Sequence, residues 1–303
     1  MARRGGARRC KPCDTLMLSK YGLPNLPGDI AQVTSLRLVR CSAMTELPNL
    51  IDVAPVLRSL HIQHCHAFVI LPAALPDNCD FLWILDCPRI VALPPYAFLG
   101  KLILENARHI TQWPRGLPRL HTLDLHDMGD MIIPDTFWAE SPIRELYLAG
   151  WNRLGTLPSS MHACTTLQKL QVHSCVNLTQ ITRDIVALCR LHTLDIKYCK
   201  LLKELPLSLG LIPALHTLYL SSTGINVAQE HDSDSDDSDD SIGPVVMVNG
   251  HVMVNGHVCN ENLIFLVQRL RYKICSLRMA VKCGNRLRYL PPEMWTIIAQ
   301  YME

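Results

Sequence analysis

The chain has no run of about 18 or more apolar residues, so no segment reads as a membrane span. Its N-terminus, M-A-R-R-G-G-A-R-R-C-K-P-C, is basic but lacks the apolar stretch of a secretion signal. A cytoplasmic protein, or a nuclear one, is expected. Charge is scarce: 18% of the 303 residues are charged and the formal net charge is +2, which offers no global electrostatic argument for nucleic acid. There is no Gly-rich phosphate loop, no nucleophile elbow and no paired metal motif. Cys10 and Cys13 make a lone C-x-x-C, and structural zinc would need a second pair nearby. These residues read instead as a flexible end or a first strand. The expectation is a chain that is not an enzyme and carries no cofactor or metal. What remains is 49% hydrophobic and long enough to bury a substantial core.

Cysteine is the exception to this scarcity, with 13 residues, an odd number. Their spacing is regular because the chain repeats. Leu36, Leu60, Leu82, Leu102, Leu123, Leu146, Leu170, Leu194 and Leu218 each open an L-x-L, L-x-I or L-x-V triplet, at intervals of 24, 22, 20, 21, 23, 24, 24 and 24 residues. Leu16-Met17-Leu18 is an earlier copy. The segments L-Q-K-L-Q-V-H-S-C-V-N-L-T-Q-I and L-H-T-L-D-I-K-Y-C-K-L-L-K-E-L-P together spell L-x-x-L-x-L-x-x-C-x-x-L-x-x-L-P. Cys41, Cys65, Cys87, Cys175 and Cys199 fill the Cys position, and Leu47, Leu71, Leu93, Trp113, Leu157 and Leu205 each precede a Pro. Each triplet alternates apolar and polar, so one side of a short strand is buried. One copy cannot bury that side alone; stacked copies can. The Cys points inward as a small hydrophobe, and so do Cys79 and Cys164.

This pattern resembles a leucine-rich repeat protein over about ten copies, and its C-x-x-L-x-x-L-P tail resembles the plant-type repeats of intracellular immune receptors. The resemblance implies an α/β fold: a curved solenoid with parallel strands on the concave face, here with a C-terminal helical cap. It divides the chain into a basic tail (1–13), the solenoid (14–228), an acidic insert with a tandem loop (229–260) and a helical end (261–303).

In that register the outward residue of each triplet forms a ladder across the concave face: Met17, Arg37, His61, Trp83, Ile103, Asp124, Tyr147, Gln171, Asp195 and Tyr219, flanked by Phe81, Leu85, Glu105, His126, Lys197 and Tyr198. Exposed aromatic residues are typical interface anchors. A protein or peptide partner on this face is expected, anchored by the apolar cluster Phe81, Trp83, Leu85 and Ile103. The stretch H-I-Q-H-C-H-A-F at 61–68 looks metal-like, but Cys65 should point inward while His61 and His64 point out to solvent, so these ligands diverge. The alternative is a looser metal site between His64 and Asp86.

Beyond the repeats, E-H-D-S-D-S-D-D-S-D-D-S at 230–241 is expected to be disordered on composition, with Ser233, Ser235 and Ser238 in a context suited to acid-directed kinases. V-M-V-N-G-H is then written twice: Asn-Gly between β-prone runs suggests a hairpin, and a tandem duplication inside a loop is an equally good account. Residues 261–282 read as an amphipathic helix with a basic face, suited to capping the solenoid. The last segment, C-G-N-R-L-R-Y-L-P-P-E-M-W-T-I-I-A-Q-Y-M, echoes the repeat and also resembles the opening of an F-box through Leu290, Pro291, Glu293, Trp295, Ile297 and Ile298. That second resemblance implies a substrate receptor of a ubiquitin ligase, with the ligase adaptor as partner.

Overall fold

The computed structural model describes residues 15–225, apart from 130–131, 207–208, 210–211, 213 and 216, together with the backbone of residues 7–9, 244–248, 251–254 and 257–258. The strands are β1 (Ala7–Arg9), β2 (Thr15–Ser19), β3 (Ser35–Val39), β4 (Ser59–Gln63), β5 (Phe81–Leu85), β6 (Lys101–Glu105), β7 (Thr122–His126), β8 (Glu145–Ala149), β9 (Lys169–His173), β10 (Thr193–Asp195), β11 (Thr217–Tyr219), β12 (Pro244–Val248), β13 (His251–Val254) and β14 (His257–Val258). They lie in one sheet in chain order.

Strands β2 to β11 are parallel, and their register runs straight: Leu16, Leu36, Leu60, Leu82, Leu102, Leu123, Leu146, Leu170, Leu194 and Leu218 face one another in turn. A slip of one residue would turn every apolar side chain to the opposite face. Nine of these ten leucines are buried, and each such burial is worth about 1.5–3 kcal/mol. The apolar positions of the motif stack into one continuous core from Leu16 to Leu220.

The five motif cysteines are buried in that core with free thiols. Each satisfies its weak donor on backbone: Cys65 Sγ lies 3.6 Å from Leu38 O, Cys87 Sγ 3.5 Å from Ile62 O, and Cys199 Sγ 3.3 Å from Val172 O. The hydrogen bond with Cys65, then burial, push the Cys41 thiol up. Cys164, burial alone acting on it, is pushed up to about 12. Buried among apolar side chains, the motif cysteines fill space as small hydrophobes.

Each of the parallel strands β2 to β11 is followed by a left-handed residue within three positions. Lys20, Arg40, His64, Asp86, Asn106, Asp127, Ser174, Tyr198 and Ser222 all have φ between 49° and 62°, and Gly150 has φ 63° at the equivalent place. This turn aims the backbone N–H at the next repeat: Arg40 N donates to Gln63 O at 2.9 Å and His64 N to Leu85 O at 2.8 Å. The chain then crosses to the outer side, where the L-x-x-L-P segments form a second row of parallel bridges at Glu46–Ile70, Ala92–Gln112 and Thr156–Gln180. Proline following the buried Leu47, Leu71, Leu93 and Leu157 costs no sheet bond there. Helical turns occupy the outer side at Leu50–Val53, Asp135–Glu140, Ser159–Ala163 and Arg183–Ala187. In a solenoid of such repeats the strands line the concave face.

At the two ends of the parallel ladder the pairing turns antiparallel. β1 lies against β2, and β12 lies against β11. The strands of the V-M-V-N-G-H unit pair antiparallel, with Val248 opposite His251 and Val254 opposite His257, the arrangement expected of its Asn-Gly pairs. An antiparallel partner covers the last parallel edge. Cys10 and Cys13, the acidic stretch with Ser233, Ser235 and Ser238, and the expected helical cap and F-box-like segment at 261–303 lie outside the described residues.

Candidate functional site

Alternation along each strand sets the concave face. In β5 the pattern of half-buried and buried residues sends Phe81, Trp83 and Leu85 to one side and Leu82 and Ile84 to the core. Trp83 is paired in register with His61 on β4 and Ile103 on β6. Phe81, Trp83, Leu85 and Ile103 therefore form one half-buried apolar patch across adjacent strands. Lys101, paired opposite Phe81, holds its ammonium 5.7 Å from that ring, a cation–π contact at the patch edge.

His61 departs from the expectation of a solvated histidine. It is only 5% exposed, because the Phe81 and Trp83 rings pack edge-on against it at centroid distances of 5.0 and 5.7 Å. Burial, and then the Arg37 guanidinium, lower its pKa to about 4. It is neutral at pH 7. Its Nδ1 and the Trp83 indole nitrogen are both buried without a hydrogen-bond partner, and each such group costs about 1–3 kcal/mol.

Farther along the ladder the face becomes polar. His126 Nε2 lies 2.6 Å from Asp124 Oδ1, and that carboxylate raises the histidine's pKa. Tyr147 donates to Glu145 Oε2 at 3.0 Å, with Lys169 Nζ 5.2 Å from the Tyr147 ring. Burial first, then Glu145, push the phenol up to about 12. Lys197 Nζ sits 4.4 Å from the Tyr219 ring.

Asp195 is the second departure. It is 2% exposed, so it is a floor residue and not a surface contact. His173 Nε2 at 3.0 Å, Gln171 Nε2 at 3.2 Å and Lys197 Nζ at 3.5 Å converge on its Oδ2. Burial raises its pKa, but the close contact with His173 and the nearby Lys197 ammonium outweigh that and hold it below the ordinary value. Arg37 and Met17 are exposed on the ladder, whereas Tyr198, 51% exposed, sits in the left-handed turn beyond the strands. Lys101, Lys169, Glu145 and His173 complete the face. They occupy the flanking columns one residue outside the triplet or at its far end, and that same register was the signal that could have found them.

A second cluster lies at the turn after β4. His64 Nδ1 is 3.0 Å and His66 Nε2 3.6 Å from Asp86 Oδ2, and Asn106 Nδ2 donates to Asp86 Oδ1 at 3.0 Å. The His64 hydrogen bond holds the Asp86 carboxyl below its ordinary pKa. His64, expected on a solvated face, lies instead against Asp86, and His66 joins the contact. Cys65 takes no part, since its Sγ faces Leu38 O and Gln63 O.

The repeat motif and the ten-strand parallel ladder define a leucine-rich repeat solenoid. Such solenoids present an extended concave surface suited to binding proteins. No helix among the described residues is long and apolar enough to cross a membrane. No family model matches the chain. TMV resistance protein N of Nicotiana glutinosa is 28% identical over 201 residues, covering 61% of this chain; the chain spans 17% of that protein's length. Among solved structures, the leucine-rich repeat domain of the type III effector XopL is similar at a TM-score of 0.41 and 19% identity, over 67% of this chain and 66% of that one. The Drosophila Toll–Spatzle complex structure is similar at 0.41 and 19%, over 70% and 27%. An internalin of Listeria monocytogenes is similar at 0.30 and 12%, over 71% and 83%.

Proposed function

We propose that the chain is a non-enzymatic recognition module that binds a protein or peptide partner on its concave face, in immune or signalling recognition. The observation that carries this reading is the patch of Phe81, Trp83, Leu85 and Ile103, four large apolar side chains half-buried on adjacent strands of a sheet face. A free solenoid gains nothing by leaving them there, whereas a partner that covers them recovers about 25 cal/mol for each Å² of apolar surface buried. The likeness to a resistance protein supports the immune setting.

Affinity capture with three chains tests it: wild type, Trp83→Ala, and Arg115→Ala, whose side chain pairs with Glu140 on the outer side. A partner held by wild type and Arg115→Ala and lost by Trp83→Ala is the expected result. Thermal melts accompany the capture, because Trp83 packs on His61 and its removal costs some stability. A partner retained by Trp83→Ala and Ile103→Lys alike overturns the concave assignment. The Leu290-Pro291-x-Glu293 segment favours a second reading, a ubiquitin-ligase substrate receptor, and a pull-down with the ligase adaptor tests it.

A further inference from the structure

We propose that His64, His66 and Asp86 form a binding site for one zinc-like divalent cation, at the turn column beside the concave face and independent of any partner there. The three donor atoms lie within 4.8 Å of one another. The separations from Asp86 Oδ2 are 3.0 Å to His64 Nδ1 and 3.6 Å to His66 Nε2. Two ligands of tetrahedral zinc, each bonded at about 2.0–2.1 Å, stand about 3.3 Å apart. The two separations bracket that edge, so a cation can replace the direct contacts with little movement of the ligands.

The backbone prepares the site. His64 and Asp86 occupy the same left-handed position in consecutive repeats, and their amides are tied to Leu85 O at 2.8 Å and Glu105 O at 2.9 Å. The turn leaves His64 half-buried and His66 exposed, while Cys65 between them is buried in the core. Asn106, at the same position one repeat farther on, holds Asp86 Oδ1 and leaves Oδ2 turned toward the histidines. That is the outer support a ligating carboxylate ordinarily has. Two imidazole nitrogens and one carboxylate oxygen suit zinc, cobalt or nickel better than calcium or magnesium, which take all-oxygen shells.

The cluster opens into a cavity of about 650 Å³, which Arg40 and Arg89 also line. Three protein ligands leave a fourth position open, as in zinc sites that accept an exogenous ligand. The two guanidiniums beside it favour an anionic oxygen there, either hydroxide or a carboxylate.

Zinc titration of the chelator-treated full chain, followed by calorimetry, with cobalt absorption as the reporter of tetrahedral geometry, tests the proposal. Wild type should bind one zinc that is lost in His66→Ala and in Asp86→Asn. His66 is exposed, so its replacement leaves the fold intact, as circular dichroism will verify. Asn106→Ala should weaken zinc about 10- to 100-fold; a fortuitous pair of surface histidines would not sense that change. His109→Ala, outside the cluster, should bind as wild type does. Zinc affinity unchanged in both His66→Ala and Asp86→Asn, or no zinc bound by wild type, overturns the assignment.

Discussion

The His61 imidazole stands edge-on to the Trp83 indole, with ring centroids 5.7 Å apart and planes inclined at 63°. The two residues are direct partners across β4 and β5, so the contact is written into the strand register. It turns a histidine from a surface position into a buried neutral one with a pKa of about 4. In the unfolded chain the same group titrates near 6.5. Protonation therefore favours unfolding: the stability linked to neutral His61 is fully present above about pH 6.5 and is lost as pH falls toward 4. Full linkage corresponds to at most about 3 kcal/mol. His61→Phe should flatten the decline in stability between pH 7 and pH 4.5, as urea unfolding at the two pH values will show. A variant that loses stability as steeply as wild type contradicts this account.

Asp195 is buried among His173, Gln171 and Lys197, and its carboxylate is the hub of that contact. Its folded pKa lies below the unfolded one, so its contribution is present above about pH 4 and disappears as pH falls through the folded value. Removing one partner of a buried charge pair costs about 3–5 kcal/mol. Asp195→Ala should approach that loss at pH 7. Lys197→Met, at the more exposed end of the network, should cost less. Equal effects of the two substitutions in chemical denaturation would mean that the carboxylate is not the hub.

The solenoid was legible in the sequence because each triplet places Leu on the same side of every strand, and a straight register needs nothing more. The apolar patch was legible for the same reason: Phe81, Trp83 and Leu85 alternate with Leu82 and Ile84. The burial of His61 was not, since it depends on the size of two rings from the next repeat. The left-handed turn was hidden by its occupants, which include Lys20, Arg40, Tyr198 and Ser222 and only one glycine, Gly150. Its geometry comes from the amide bond to the next strand, a tertiary contact. His66 escaped notice because the turn, and not strand alternation, sets its direction.

That turn makes an opposed pair of predictions. Gly150 has φ 63°, and a Cβ there would meet nothing closer than Asp127 N at 3.9 Å. Gly150→Ala should therefore cost about 1–2 kcal/mol from the left-handed backbone alone. Ser174 has φ 54° at the equivalent place and an exposed side chain. Ser174→Gly relieves the same strain but frees the unfolded chain, so a net gain of about 0.5 kcal/mol is expected. Thermal melts of both variants beside wild type check the two signs.

Gly116 is required for a different reason, close approach. A Cβ at this position would lie 2.5 Å from Glu140 Cβ and 2.8 Å from the Glu140 carbonyl. The neighbours on either side are fastened to the same helix end. Arg115 Nη2 donates to Glu140 Oε1 at 2.7 Å, and Leu117 N donates to Ser141 Oγ at 3.0 Å. The segment cannot withdraw without breaking one of these contacts, and the opposing atoms are largely backbone. Gly116→Ala should cost about 1–3 kcal/mol, the usual range for overpacking. Gly22, with nothing within 4 Å of a Cβ, is the control: Gly22→Ala should be neutral or stabilising by up to about 1 kcal/mol, through the unfolded chain. Urea unfolding of the two variants separates the effects, and a Gly116→Ala chain as stable as Gly22→Ala would show that the repeat relaxes at this contact.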